Sequence, residues 1–156
     1  MAWLAIKVEL MKLKLSRTLV TWPEDKHAPV RLKGSNTSRI RSFQVIEKDG
    51  KSLEGIEGEH QYMPSQLCHD INSDYSVQMT TKAIEDVASG QIPEWEGTGN
   101  AWTVVLRPDG ATFEFSIMDG EPGGKVSLEI YRRALEAWRD FLADESCDER
   151  IVELPD

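Results

Sequence analysis

Cysteine, histidine and aspartate stand side by side once in this chain, at Cys68-His69-Asp70. These are the residue types of a thiol nucleophile, its base and an orienting carboxylate. Such chemistry needs thiol and imidazole to meet in space, whereas consecutive side chains point apart. The tripeptide therefore reads as a loop, or as a helix start with Asp70 as its cap. Glu57, Glu59, His60 and His69 are types that ligate divalent metals. Their spacing matches no metal motif and His27 is distant in sequence, so they read as a polar loop. Gly120-Glu121-Pro122-Gly123-Gly124, followed by Lys125 and a helix start at Ser127, has the order of a phosphate cradle. Asp119 and Glu121 would repel phosphate there, and the segment reads as a mobile connection. Pro93-Glu94-Trp95-Glu96-Gly97 sets an aromatic between two carboxylates. Tryptophan is enriched at binding hot spots, and flanking acids pair with cations on a partner. The simpler alternative is that Trp95 folds back to lid the core and leaves the glutamates in water. No catalytic residue, cofactor or metal is expected.

The elements that must position these residues show in the hydropathy pattern. Leu4, Ile6, Val8 and Leu10 alternate as in a half-buried strand. Met11, Leu13 and Leu15 continue with shifted parity, which predicts a bulge between positions 10 and 11. Pro23 to Pro29 reads as a loop. Val30 and Leu32, then Phe43 and Val45, predict two further strands around the polar turn Gly34 to Ser38, the second closed by Asp49-Gly50. Ser52 to Ser76 has poor periodicity and reads as a structured loop or several short pieces. Thr80 or Thr81 is placed to cap a short helix carrying Ala83, Ile84, Val87 and Ala88, with Gly90 beyond its end. Trp102, Val104 and Leu106 predict a strand that turns at Pro108-Asp109-Gly110 and returns through Phe113, Phe115 and Ile117. Ser127 is the expected cap of a long helix over about Leu128 to Ala143, whose apolar stripe runs through Tyr131, Leu135, Trp138 and Leu142. The pattern predicts an α+β fold: a mostly antiparallel β-sheet packed against a long C-terminal helix and one short helix. Residues 1–156 read as one domain, with 144–156 an acidic tail, frayed or lightly docked.

Composition narrows the function classes. The chain has 156 residues and 17.6 kDa, 40% apolar and 29% charged, enough for a real core without disulfides. Cys68 and Cys147 alone cannot make a disulfide framework or a four-ligand zinc site. The uncharged run Met1 to Ile6 is cut short by Lys7 and Glu9, so neither a membrane span nor a signal peptide is expected and the cytoplasm is the expected location. The net charge is −9, and it is unevenly spread. Residues 1–42 hold nine lysines and arginines against three acids; residues 43–156 hold nine against twenty-four. An acidic body repels nucleic acid and attracts cationic partners. The basic stretch lacks the interleaved aromatics of RNA-binding modules. Its cations are expected on a strand face, neutralising the acidic remainder, with no direct nucleic-acid binding.

Ala88-Ser89-Gly90, Trp95, Gly99-Asn100-Ala101-Trp102, the hairpin, the Gly-rich loop and the helix from Leu128 to Leu142 form a continuous pattern. It resembles the C-terminal half of small bacterial YacL-type proteins and of immunity proteins from contact-dependent growth inhibition systems. In those, a Trp-containing turn and hairpin precede a helix of the form aliphatic-x-x-x-Trp-x-x-Phe-Leu. The resemblance covers about residues 80–143. It implies a cytoplasmic, non-enzymatic protein that binds a cognate cationic toxin domain, often a nuclease, and covers its active site. The residues expected to contact that partner are Glu57, Glu59, Glu94, Trp95, Glu96, Asp119 and Glu121, on loops expected to share one edge of the sheet. The alternative is a small structural or adaptor domain with no toxin partner.

Overall fold

Met11, Leu13 and Leu15 are buried on one face of strand β1 (Met11–Thr21), which pairs antiparallel with β2 (Thr37–Lys48). The computed structural model describes residues 10–21, 37–55, 57–115 and 122–154. The expected strands through Leu4 and through Val30 and Leu32, the loop Pro23 to Pro29, and Ile117 lie outside the described residues. Ser38, expected in a turn, is already in β2 opposite Val20. The expected bulge between positions 10 and 11 is not there: Leu10 and Met11 stay in step with Asp49 and Lys48, and the β1/β2 register instead shifts between Lys12 and Leu13, with the extra residue, Ile46, on the partner strand. Asp49 and Gly50 take left-handed φ of 51° and 81°, the geometry of a two-residue hairpin turn, and lead into the short β3 (Lys51–Ser52).

The segment from Ser52 to Ser76 is several short pieces, the second of the two expected alternatives, and not a structured loop. A short 3₁₀ turn (Glu59–Gln61) leads into helix α1 (Tyr62–Asp70), and α2 (Asp74–Ala88) follows. The α2 cap is Ser73 rather than Thr80 or Thr81. Ser73 Oγ accepts from the Ser76 N–H and Ser76 Oγ from the Ser73 N–H, both at 3.1 Å, a reciprocal capping box. Thr80 and Thr81 lie in the helix interior, where each hydroxyl donates to a carbonyl one turn back. Gly90 follows the helix with φ 83°. Next come β4 (Trp95–Thr98), β5 (Trp102–Arg107), β6 (Gly110–Phe115) and β7 (Gly123–Val126). Helix α3 (Leu128–Ala143) has the expected bounds, capped by Ser127 Oγ on the Ile130 N–H at 3.1 Å.

The fold is α+β, with two four-stranded antiparallel sheets instead of one: β3-β2-β1-β8 and β4-β5-β6-β7. The acidic tail supplies β8 (Glu149–Leu154), antiparallel to β1. Its outward Glu149 and Glu153 are bridged by Lys14 and Lys12 at 3.3 and 3.5 Å, and Lys12 also reaches Glu47. Helices α1 and α3 touch both sheets and fill the space between them. Trp138 stacks on Phe43 of the first sheet at 5.5 Å, and Tyr131 meets Phe113 of the second edge-on at 5.5 Å. No helix among the described residues is long and apolar enough to cross a membrane.

Arg17 ties the β1/β2 ribbon to the end of α3. Its guanidinium lies 4.1 Å over the Phe141 ring and donates to the carbonyls of Phe141, Cys147 and Asp144 at 2.6, 2.5 and 2.9 Å. A cation at a helix C-terminus meets the negative end of the helix dipole and satisfies carbonyls the helix leaves open. Replacing Arg17 by Ala is expected to lower the unfolding free energy by about 2–3 kcal/mol, read from urea titrations, with Arg17→Lys restoring only part.

Candidate functional site

The end of α1 disperses the three residues with the most reactive side chains. Cys68 Sγ donates to the Arg41 carbonyl at 3.5 Å. Burial pushes its thiol pKa up, against the smaller opposing effects of the Arg41 cation and the Phe43 N–H. His69 Nδ1 lies 2.7 Å from the Ser65 carbonyl, one turn back in the same helix. Asp70 is at the helix end, not its start. Its two oxygens accept from the Ala101 and Trp102 N–H groups, both at 2.9 Å. The turn between β4 and β5 is thereby clamped to α1. Gly99 makes the approach possible, since a Cβ there would stand 2.4 Å from Asp70 Cγ.

Of the polar residues before α1, Glu59 is partly occupied, whereas the buried Nε2 of His60 has no hydrogen-bond partner among the described residues. Glu59 accepts weakly from the Gly124 N–H at 3.4 Å, and a Cβ on Gly58 would stand 2.7 Å from the His60 ring. Among the described residues, no three of His, Cys, Asp or Glu are grouped to hold a metal ion.

The residues expected to contact a partner do not form one edge. Glu57 is exposed beside the 3₁₀ turn, and Glu59 packs on Gly123 and Gly124 of β7. Trp95 and Glu96 lie in β4, the other edge of that sheet. Three strand spacings, about 14 Å, separate the two edges. Glu94 immediately precedes β4 and pairs with Arg107 at 2.7 Å. Asp119 and Glu121 lie outside the described residues. Trp95 and Glu96 also take opposite faces: Trp95 pairs with the buried Leu106, whereas Glu96 pairs with Val105 on the outer face.

What the fold does assemble is a cleft between α2 and β4. Tyr75, Met79 and Ala83 line one wall, and Ile92 and Trp95 the other, with Lys82 and Asp86 paired at 2.9 Å at the rim. Tyr75 is 74% exposed and Met79 45%, one turn apart on the helix. The Trp95 indole folds over Gly97, where a Cβ would fall 2.3 Å from the ring. Trp95 is therefore half lid and half surface. Tyr75 and Met79 are absent from the sequence-based set because the helix was expected to begin at Thr80 or Thr81. Ser73 and Ser76, with the spacing of a capping box, were the available signal for the earlier start. Aromatic and methionine side chains are types enriched where protein surfaces take up apolar side chains.

No protein-family model matches the chain, and no curated protein or solved structure matches it.

Two outcomes follow from the α1 geometry. Asp70→Ala strands two backbone N–H groups and is expected to cost about 2–3 kcal/mol of stability in chemical denaturation. Alkylation of Cys68 by iodoacetamide is expected to be slow in the folded protein, with its pH midpoint above that of an unhindered thiol.

Proposed function

We propose that this chain is an immunity protein that binds a cognate cationic toxin domain and neutralises it by covering its active site. The observation that carries this reading is the Tyr75–Met79–Trp95 cleft on a chain of net charge −9. The resemblance over residues 80–143 supports the same reading and includes Trp95. Tyr75, Met79 and Trp95 act as apolar anchors that slow dissociation. Glu94, just before β4, and Glu96 on its outer face, together with Glu57 and Glu59 at the far edge, supply the negative field that speeds encounter with a basic partner. Asp119 and Glu121 are proposed contacts on the same electrostatic grounds. The cytoplasm is the compartment in which such a protein would meet its toxin.

A second reading, a structural or adaptor domain without a toxin partner, is favoured by a different observation. Much of the charge is balanced within the fold, through Lys12, Lys14, Arg39, Lys82, Arg107, Lys125, Arg132 and Arg150. Surface pairing of that kind serves solubility as well as recognition.

Co-purification with the toxin domain encoded beside this chain distinguishes the two. A complex is expected at micromolar concentration in low salt. Trp95→Ala is expected to weaken it by about tenfold or more, mainly through faster dissociation. Charge reversal at Glu94 and Glu96 is expected to slow association while leaving the unfolding midpoint nearly unchanged. Absence of any complex under these conditions overturns the toxin-binding reading.

A further inference from the structure

We propose that Arg41 and Arg39, beside Arg17, bind a small phosphate in the open pocket where β1 and β2 run past the end of α3. Those three arginines line the pocket together with Leu142 and Glu145. Arg17, Arg39 and Arg41 share the strand face that carries the buried Leu15 and Phe43, because side chains alternate along each strand. Arg17 stands directly opposite Arg41. The Arg17 N–H donates to the Asp148 carbonyl at 2.8 Å, and the Arg41 carbonyl accepts from Cys68 Sγ at 3.5 Å, so neither turns its backbone groups to the other. They therefore form a non-hydrogen-bonded pair, with Cα atoms about 4.5 Å apart and side chains at the closer of the two cross-strand spacings. Arg39 follows two residues along, about 7 Å away.

Like charges set directly opposite each other destabilise a sheet unless something neutralises them. Arg17 is held by the carbonyls of Phe141, Asp144 and Cys147, whose dipoles leave its net charge unbalanced. Arg39 pairs with Asp148 through one terminal nitrogen and reaches the Glu145 carbonyl weakly, at 3.4 Å, through the other. Most cations of this acidic chain find a carboxylate. The Arg41 guanidinium finds none among the described residues, although it faces two other guanidinium groups. Glu145 is its intramolecular rival for a ligand, and the Glu145 carboxylate forms no ion pair among the described residues either.

A compact oxyanion supplies the missing counter-charge. The guanidinium fork matches the oxygens of phosphate and carboxylate alike. Phosphate fits better here on two grounds: its double charge offsets the opposed Arg17 and Arg41, and its tetrahedral oxygens can meet Arg39 and Arg41 at once. Half-buried Leu142 removes water from one side of the pocket, which strengthens the attraction. The net charge of −9 selects against a long polyanion, which would feel the acidic field of the whole molecule. Inorganic phosphate and the phosphoryl group of a simple monoester share this chemistry. None of the residues assigned to toxin contact takes part, so the site stands independently of that reading.

Titration of the full chain, labelled with nitrogen-15, against inorganic phosphate and against glycerol phosphate tests the site at constant ionic strength. The Nε–H resonances of Arg39 and Arg41 are expected to shift and saturate, with a Kd of about 1 mM or below for at least one of the two ligands. The tighter ligand identifies the source of the phosphoryl group. Arg41→Gln is expected to weaken binding by about tenfold or more, without lowering the unfolding midpoint in phosphate-free buffer, since it removes one of two opposed charges. Glu145→Gln is expected to tighten binding by about threefold by removing the rival carboxylate. Binding that Arg41→Gln leaves unchanged is an adventitious ion only and overturns the proposal. So does a chain whose arginine resonances stay put up to about 20 mM of either ligand, or one that binds acetate or an oligonucleotide at these arginines more tightly than phosphate. Should Arg41→Gln fail to fold, Glu145→Gln decides the matter, and no gain in affinity there overturns the site.

Discussion

An amphipathic helix whose apolar stripe is wider than one sheet can cover must be buried from two sides. Helix α3 sets that requirement here. Tyr131, Ala134, Leu135, Trp138 and Phe141 have no solvent exposure at all. Trp138 faces Phe43 of one sheet and Tyr131 faces Phe113 of the other. Trp138 and Tyr131 each also carry a polar atom that burial would otherwise leave unsatisfied. Trp138 Nε1 donates to the Ile71 carbonyl at the end of α1, and the Tyr131 hydroxyl donates to the buried Gln66 of the same helix, both at 2.7 Å. Burial pushes the Tyr131 hydroxyl pKa far upward, which keeps it a donor at every working pH. The same side chains that demand two sheets thus fix α1 between them.

With α1 held, the polar residues at its two ends serve the edges and turns of both sheets. Gln61 closes the β2 edge, where an unpaired strand would invite another chain. Asp70 holds the β4–β5 turn and so positions Trp95 at the start of β4. The cleft between α2 and β4 is consequently a surface feature on a rigid frame: α2 is set by its cap at Ser73, and β4 by a turn anchored to another helix. A surface held this way is pre-organised, which would lower the ordering cost for any ligand that bound there.

Electrostatics divides between the two sheets. On the first, Lys12 and Lys14 share a face of β1 with Glu47, Glu149 and Glu153, so the N-terminal cations neutralise acidic strands on either side. On the second, Glu96 and Glu114 stand on the outer face among threonines, opposite Val105 and Thr103. The charge asymmetry along the chain becomes a local balance on one sheet, and leaves part of the acidic surplus on the other.

Much of this was legible locally. The β5–β6 hairpin, the Asp49-Gly50 turn and both ends of α3 follow from periodicity and capping within a few residues. Helix α1 was hidden because its buried residues include Gln66 and Pro64, which blur the apolar stripe; Pro64 is tolerated in the first turn, where no backbone donor is needed. Strand β8 was hidden because Arg150 alternates on the inner side and two glutamates on the outer, a pattern that looks uniformly charged until Lys12 and Lys14 are placed beside it. The lining of the cleft was only partly legible for the same reason. Trp95 could be singled out by type, but the face it shares, its separation from Glu59, and its neighbours Tyr75 and Met79 depend on chain segments far apart in sequence. By itself, the sequence determined those elements whose burial pattern repeats every two or every three to four residues. Only the tertiary structure decided which strand completes β1, which backbone groups Asp70 holds and which residues share the cleft, because strand pairing and helix packing are chosen by surfaces that local periodicity does not encode.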